Sequence, residues 1–261
     1  MALHQAPPTQ APAARAPQPR PMPKWQRQDA WWVQPVVVAV VLGAFAIFAT
    51  WRAFENDYYQ YENYLSPFYS PLIVTQWQLF GRHISPAIFI LPFPLFFRAT
   101  CYYYRKAYYR AFFWDPPACA VGEVAKRHNY TGEREFPFYL QNLHRYAFYF
   151  AVIVVVILWW DTFLAFDFGG RFGVGVGSLI FLANIVLLSL YTFSCHSWRH
   201  LSGGCVNCFS CAKARHSIWE RVTHLNENHA LWAWLSLFSV VITDLYVRGL
   251  AMGVIHDVRF L

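Results

Sequence analysis

Residues Tyr146–Phe166 read YAFYFAVIVVVILWWDTFLAF. A helix needs about 20 predominantly apolar residues to cross the hydrocarbon core of a bilayer. This run supplies them with one charge, Asp161, near its far end. Comparable runs fall at about 31–50, 84–101, 174–195 and 230–255. The fold expected is therefore all-α: a polytopic transmembrane bundle of five spans. The run at 84–101 is the irregular one, because Pro86, Pro92 and Pro94 should kink it and its inner end depends on Tyr102–Tyr104. Without it the count is four.

Composition agrees. The 261 residues are 57% hydrophobic and only 13% charged, against about 25% charged in soluble domains. The net charge of +7 is not read as a nucleic-acid footprint, because the cations sit beside apolar runs in alternate loops. Sixteen of the 21 Lys and Arg residues lie in the N-terminal tail, after the second run and after the fourth. By the positive-inside rule this places the N-terminus in the cytoplasm and the C-terminus outside.

On either side of the spans the chain divides simply. Residues 1–24, rich in Pro, Ala and Gln, are expected to be a disordered cytoplasmic tail, not a signal peptide, since no apolar stretch precedes Trp31. Residues 25–261 form the membrane domain. The connection FENDYYQYENYLSPFYSPL (54–72) is acidic, tyrosine-rich and broken by Pro67 and Pro71, which suggests a packed cap over the outer face. From Thr100 the chain reads TCYYYRKAYYRAFFWDPPACA. Its mixed aromatic and basic residues suggest a helix turning along the interface until Asp115-Pro116-Pro117 stops it. The polar stretch 123–148 is a candidate docking surface for a cytoplasmic partner. The glycines of GVGVG (173–177) are read as close packing, not a nucleotide loop, because no strand precedes them. Asp244 and Arg248, four residues apart, are read as a buried ion pair near the outer end.

Chemistry concentrates in YTFSCHSWRHLSGGCVNCFSC (191–211), with four of the six cysteines and two of the ten histidines. All six cysteines fall on the expected cytoplasmic side, where structural disulfides are rare, so ligation or plain burial is the expectation. Thiolates and imidazoles are the usual ligands of zinc, iron–sulfur clusters and haem. If one helix continues through Arg199, His196 and His200 share a face. Cys101 ends the second run, and Cys119 lies beyond the Pro-Pro stop, where the chain can fold back. Cys101 and Cys119 with His196 and His200 make the Cys2His2 set of a Rieske-type [2Fe–2S] centre. Rivals stay open: Cys195 can replace either cysteine and His144 either histidine, and the C-x-H…C-x-x-H spacing of soluble Rieske proteins is absent. His144, His196 and His229 begin or end three spans and form a haem b alternative. Cys205, Cys208 and Cys211, in CVNCFSC, resemble a zinc knuckle with His200 or His216 as a fourth ligand, or are free thiols.

Several long stretches resemble the membrane-anchor subunit of succinate dehydrogenase (succinate:quinone oxidoreductase, complex II). They are FRATCYYYRKAYYRAFFWDPPACAV, FPFYLQNLHRYAFYFA, LYTFSCHSWRHLSGG, LNENHALWAWLSLFSV and DLYVRGLA. They are most similar to the single-chain, five-span class with a Rieske-type cluster embedded in the membrane. The resemblance implies a respiratory-chain subunit of the bacterial inner membrane that oxidises no succinate itself. Its partners would be a flavoprotein and an iron–sulfur subunit, with room for a small extra membrane subunit, and it would pass electrons to quinone, menaquinone being expected. Carried over by motif, the cluster candidates are Cys101, Cys119, Cys195, His196 and His200. Tyr102, Tyr103, Arg105, Arg110, Trp114 and Trp198 surround them and are candidates to bind the quinone, or else interfacial anchors. The competing class is a transporter or zinc-stiffened scaffold. Against it, Asn184 is the one strongly polar side chain near a span centre, where transporters concentrate ionisable groups.

Overall fold

The computed structural model describes residues 29–73, 78–79, 82–114, 117–118, 121, 134–136, 138–204 and 206–260. The tail 1–24, Cys119, Cys205 and residues 123–133 and 137 of the polar stretch lie outside them. Four helices are long and apolar enough to cross a membrane: α1 (Val33–Glu55), α5 (His144–Leu164, extended by a 3-10 turn to Tyr139), α6 (Val176–Phe193) and α9 (His229–Ala251). A bent pair would make a fifth crossing. Its first arm is α2 (Ala87–Ile90) running into α3 (Pro92–Thr100), and its second is α4 (Tyr102–Tyr108) with a π turn to Phe113, at 79° to the first. Two polar helices, α7 (His196–Gly203) and α8 (Lys213–Glu227), join α6 to α9. The element bounds match the apolar runs to within a few residues.

The bend corrects one expectation. The prolines interrupt the run, α2 stopping at Ile90 and Pro92 opening α3 with Pro94 in its first turn, but the 79° bend is not there. The break comes instead at Cys101, whose backbone is extended (φ −62°, ψ 129°). Cys195 is extended in the same way (φ −70°, ψ 149°) between α6 and α7. The helix assumed to continue through Arg199 therefore stops at Phe193, and His196 starts a new one.

The far end of the bundle carries a packed cap, which is not purely helical. Gln60–Tyr61 (β1) pairs antiparallel with Tyr64–Leu65 (β2), and Gln78–Leu79 (β3) with Arg82–His83 (β4). Tyr64, Phe68 and Tyr69 of this connection are buried. Tyr69 donates from its hydroxyl to the Arg52 carbonyl (2.5 Å) and stacks on Tyr59 (4.4 Å). The Tyr64 hydroxyl donates to Asp257 (2.8 Å), and burial pushes its pKa up to about 12, so it remains a donor. Asp257 also accepts from the Gly177 N–H (3.0 Å) and from Tyr246 (2.7 Å), tying the C-terminal segment to the start of α6. The glycines of GVGVG thus pack closely as expected, though against this cap and not another helix. A Cβ on Gly177 would lie 2.5 Å from the Tyr64 ring, and one on Gly175 would lie 2.7 Å from Asp257.

Asp244 and Arg248 do form a buried ion pair, with contacts of 3.0 and 3.2 Å. It belongs to a larger network. Arg52 approaches Asp244 (3.2 Å), Arg248 reaches Glu55 (3.0 Å) and the Asp57 carbonyl (2.5 Å), and Ser66 donates to Asp244 (2.5 Å). This network ties α1, the cap and α9 together. Midway along the bundle Asn184 accepts from Ser239 (2.9 Å), a polar clasp between α6 and α9.

Two consequences are testable by thermal unfolding of the purified protein. Asp244→Ala strands two buried guanidinium groups and should cost about 3–5 kcal/mol. Asp244→Leu combined with Arg248→Met should cost clearly less, and equal losses would show that the pair is not what matters. Gly177→Ala should cost about 1–3 kcal/mol by overpacking against Tyr64; a neutral result would mean that the cap yields freely.

Candidate metal centre

Both extended breaks do the same thing. Each turns the chain out of a span and leaves a cysteine pointing into the bundle: Cys101 is 2% and Cys195 0% exposed. The residues just before them, Thr100 and Ser194, are also buried. Two histidines open the first turns of facing spans at the same end, His144 on α5 and His229 on α9.

These six side chains form two crossed relays. His144 Nδ1 lies 2.9 Å from Thr100 Oγ1, while its Nε2 lies 3.6 Å from Cys195 Sγ. His229 Nδ1 lies 2.7 Å from Ser194 Oγ, while its Nε2 lies 3.3 Å from Cys101 Sγ. Each imidazole therefore bonds the hydroxyl before one cysteine and faces the other cysteine. One assignment of the hydroxyl protons accommodates both relays. Thr100 donates its proton to the Phe96 carbonyl (2.7 Å) and Ser194 donates to the Tyr191 carbonyl (3.1 Å). A hydroxyl has one proton, so each oxygen is left to accept from an Nδ1–H. Both Nε2 lone pairs consequently point at sulfur.

The rings are held by stacking. His144 lies flat on Phe97 (4.9 Å) and His229 on Tyr191 (5.1 Å), and Phe97 meets Tyr191 edge-on (5.4 Å). Arg98 lies over the Tyr191 ring (4.6 Å), bonds the Tyr104 hydroxyl (2.7 Å) and Ser236 (3.0 Å), and brings a positive charge to the edge of the group. Among the described residues no three His, Cys, Asp or Glu side chains converge as a chelate for a single ion. The arrangement is two thiol–imidazole pairs.

Of the residues singled out from the sequence, Cys101, Cys195, His144 and His229 come together. His196 and His200 do not join them: both are exposed on α7, and His200 Nδ1 lies 2.5 Å from Arg145. Cys208 and Cys211 are joined in a disulfide, against the expectation of ligation, free thiols or burial. The sulfurs of a disulfide are not the thiolates that a zinc knuckle needs. His216, its candidate fourth ligand, packs against Phe209 (4.8 Å). The quinone candidates separate into groups. Tyr103 and Trp198 pack on the core around Cys101 and Cys195, with Trp198 stacked on Phe148 (6.0 Å). Arg105 bonds Gln141 (3.4 Å) and covers the Tyr102 ring (5.1 Å). Trp114 meets Trp31 (5.7 Å), and Arg110 faces α1. Thr100, Ser194, Phe97, Tyr191 and Arg98 were not anticipated as parts of the site.

No curated protein matches the chain. A solved structure described as the Mycobacterium smegmatis Sdh1 complex in the apo form contains a similar chain. The identity is 43%, the TM-score is 0.83, and the match covers 95% of this chain and 97% of that one. A family model described as actinobacterial succinate dehydrogenase subunit SdhC matches residues 33–253. The chain belongs to that family: it is a multi-pass membrane-anchor subunit of a bacterial succinate dehydrogenase.

Proposed function

We propose that the chain is the electron-transferring anchor of its complex, linking the iron–sulfur subunit to membrane quinone. We further propose that Cys101, Cys195, His144 and His229 hold its redox centre, a Rieske-type [2Fe–2S] cluster. The observation that carries this reading is the crossed pair of relays, with each imidazole's Nε2 against a sulfur and its Nδ1 on a hydroxyl. When bound, such a cluster supplies a one-electron carrier at a higher potential than an all-cysteine one. The chain's own residues do the rest. Thr100 and Ser194 keep each imidazole neutral at Nε2 and fix its plane, the usual task of groups behind a ligating histidine. Phe97 and Tyr191 hold the rings, and burial excludes water. Arg98 favours the more negative, reduced form by its charge.

In this reading the bundle sits in the bacterial inner membrane with this end in the cytoplasm, as the positive-inside pattern suggests, so the flavoprotein and iron–sulfur subunits would dock here. Quinone, menaquinone being the expectation, would be taken beside the same core. Trp198, Tyr103 and Arg105 are the candidates that stay next to it. Haem b between His144 and His229 is the reading that the spectra below distinguish.

The test is EPR and optical spectroscopy of the dithionite-reduced whole complex. The expected result is a rhombic [2Fe–2S] signal of low average g in addition to those of the iron–sulfur subunit. Cys101→Ser, Cys195→Ser, His144→Ala or His229→Ala should each abolish it, while His196→Ala and His200→Ala keep it. A b-type α-band in place of that signal would replace the cluster by haem. Loss of the signal in His200→Ala alone would return the site to α7. Separately, Ser194→Ala or Thr100→Val should lower resistance of the bound iron to a chelator by about 10–100-fold, with the fold unchanged by circular dichroism. Unchanged resistance would mean that the hydroxyls do not orient the ligands.

A further inference from the structure

A second feature at the cysteine end is independent of the redox reading. Beside the first turn of α1 a cavity of about 630 Å³ opens against α4 and the π turn that follows it. Lys106 and Arg110, four residues apart, both line it, with Trp31, Val38 and Tyr103 as its apolar walls and Asp29 as its one acid. Lys106 is exposed and Arg110 partly buried. The Arg110 Nε is itself buried with no hydrogen-bond partner, where a buried polar group is normally bonded, and neither Lys106 nor Arg110 forms an ion pair among the described residues. Arg105, by contrast, bonds Gln141 and lies over Tyr102. Two cations against one acid leave the cavity with an excess positive charge.

Its position suggests the ligand. Trp31 packs edge-on against Trp114 at the cavity, and tryptophans mark the headgroup level of a bilayer. Next to Val38 in the wall, Val37 and Val40 of α1 are 53% and 64% exposed, an apolar surface leading from the cavity along the span. A ligand that fits both features has an anionic head and a hydrocarbon tail. A soluble partner's carboxylates would satisfy the cations and leave the apolar continuation uncovered. We infer that this cavity binds the phosphate of an anionic phospholipid through Lys106 and Arg110, with its acyl chains laid along the exposed valines of α1.

The test uses the whole complex purified in detergent and depleted of lipid. Native mass spectrometry follows its titration with phosphatidylglycerol, with phosphatidylcholine, and with phosphatidylglycerol in the presence of inorganic phosphate. The wild type should retain phosphatidylglycerol selectively. Lys106→Gln with Arg110→Gln should bind it about 30-fold more weakly, as expected for two interfacial cations. Val38→Trp keeps both charges and fills the wall; it too should lose the lipid, which keeps the inference testable should the double variant fail to assemble. Equal retention in wild type and both variants overturns the inference. Displacement by millimolar inorganic phosphate also overturns it, since the site would then take a free anion. So does loss of the soluble subunits from the double variant with lipid retention unchanged, which would assign the cations to a protein partner. A fall in quinone reduction with lipid retention unchanged would put quinone in the cavity and overturn it equally.

Discussion

A hydroxyl group has a single proton, and much of the cysteine end follows from where two of them go. Thr100 and Ser194 each spend theirs on a carbonyl of their own preceding helical turn. In that arrangement their oxygens accept, and the facing imidazoles carry hydrogen on Nδ1 and a lone pair on Nε2. Because each hydroxyl directly precedes a cysteine, the same backbone break that frees a thiol from a span also sets the acceptor for a histidine on a different span. The two relays are crossed, so α3, α5, α6 and α9 are joined by the same six side chains. Moving α3 or α6 disturbs both relays, and moving α5 or α9 disturbs one.

The opposite end solves a different problem with charge. Arg52, Glu55, Asp244 and Arg248 are held between α1, α9 and the cap, with Ser66 and the Asp57 carbonyl filling further valences. A buried pair of this kind adds little net stability over apolar packing, but it penalises any arrangement in which a partner is missing. Its effect here is to specify how the cap sits. Tyr69 closes over Arg52, and Tyr64 with Asp257 fastens the C-terminal segment to α6. The bundle is thus pinned at one end by ions and at the other by neutral polar groups around two thiols.

Reading the sequence located the spans because apolar length is a local property. Runs such as 146–166 and 174–195 declare themselves without knowledge of their neighbours, and the helices end within a few residues of them. The ion pair was legible for the same reason, since Asp244 and Arg248 are one turn apart on one helix. The prolines marked the interruption between Ile90 and Pro92 but not the larger bend at Cys101, which no proline announces. GVGVG announced close approach without saying to what. The Tyr64 ring it meets is 113 residues away in the chain, and no local pattern points there.

The candidate site was half legible for a related reason. Cysteines and histidines could be gathered at one end of the bundle by span counting, but choosing among them needed the assumption that a helix runs from Ser194 through Arg199. That assumption made His196 and His200 neighbours on an inward face. The extended backbone at Cys195 starts α7 afresh: His196 and His200 still share a face of it, but both are exposed. The signal that would have served better was present in the sequence. Thr100-Cys101 and Ser194-Cys195 are both hydroxyl–cysteine pairs at the ends of apolar runs, and His144 and His229 open the two runs that face them. In a membrane, a hydroxyl that bonds back to its own helix costs no partner elsewhere and still offers an acceptor sideways. A repeated hydroxyl–cysteine step at equal depth is therefore a more physical signature of this arrangement than any fixed spacing between ligands, because the four ligands come from four separate segments and share no spacing at all.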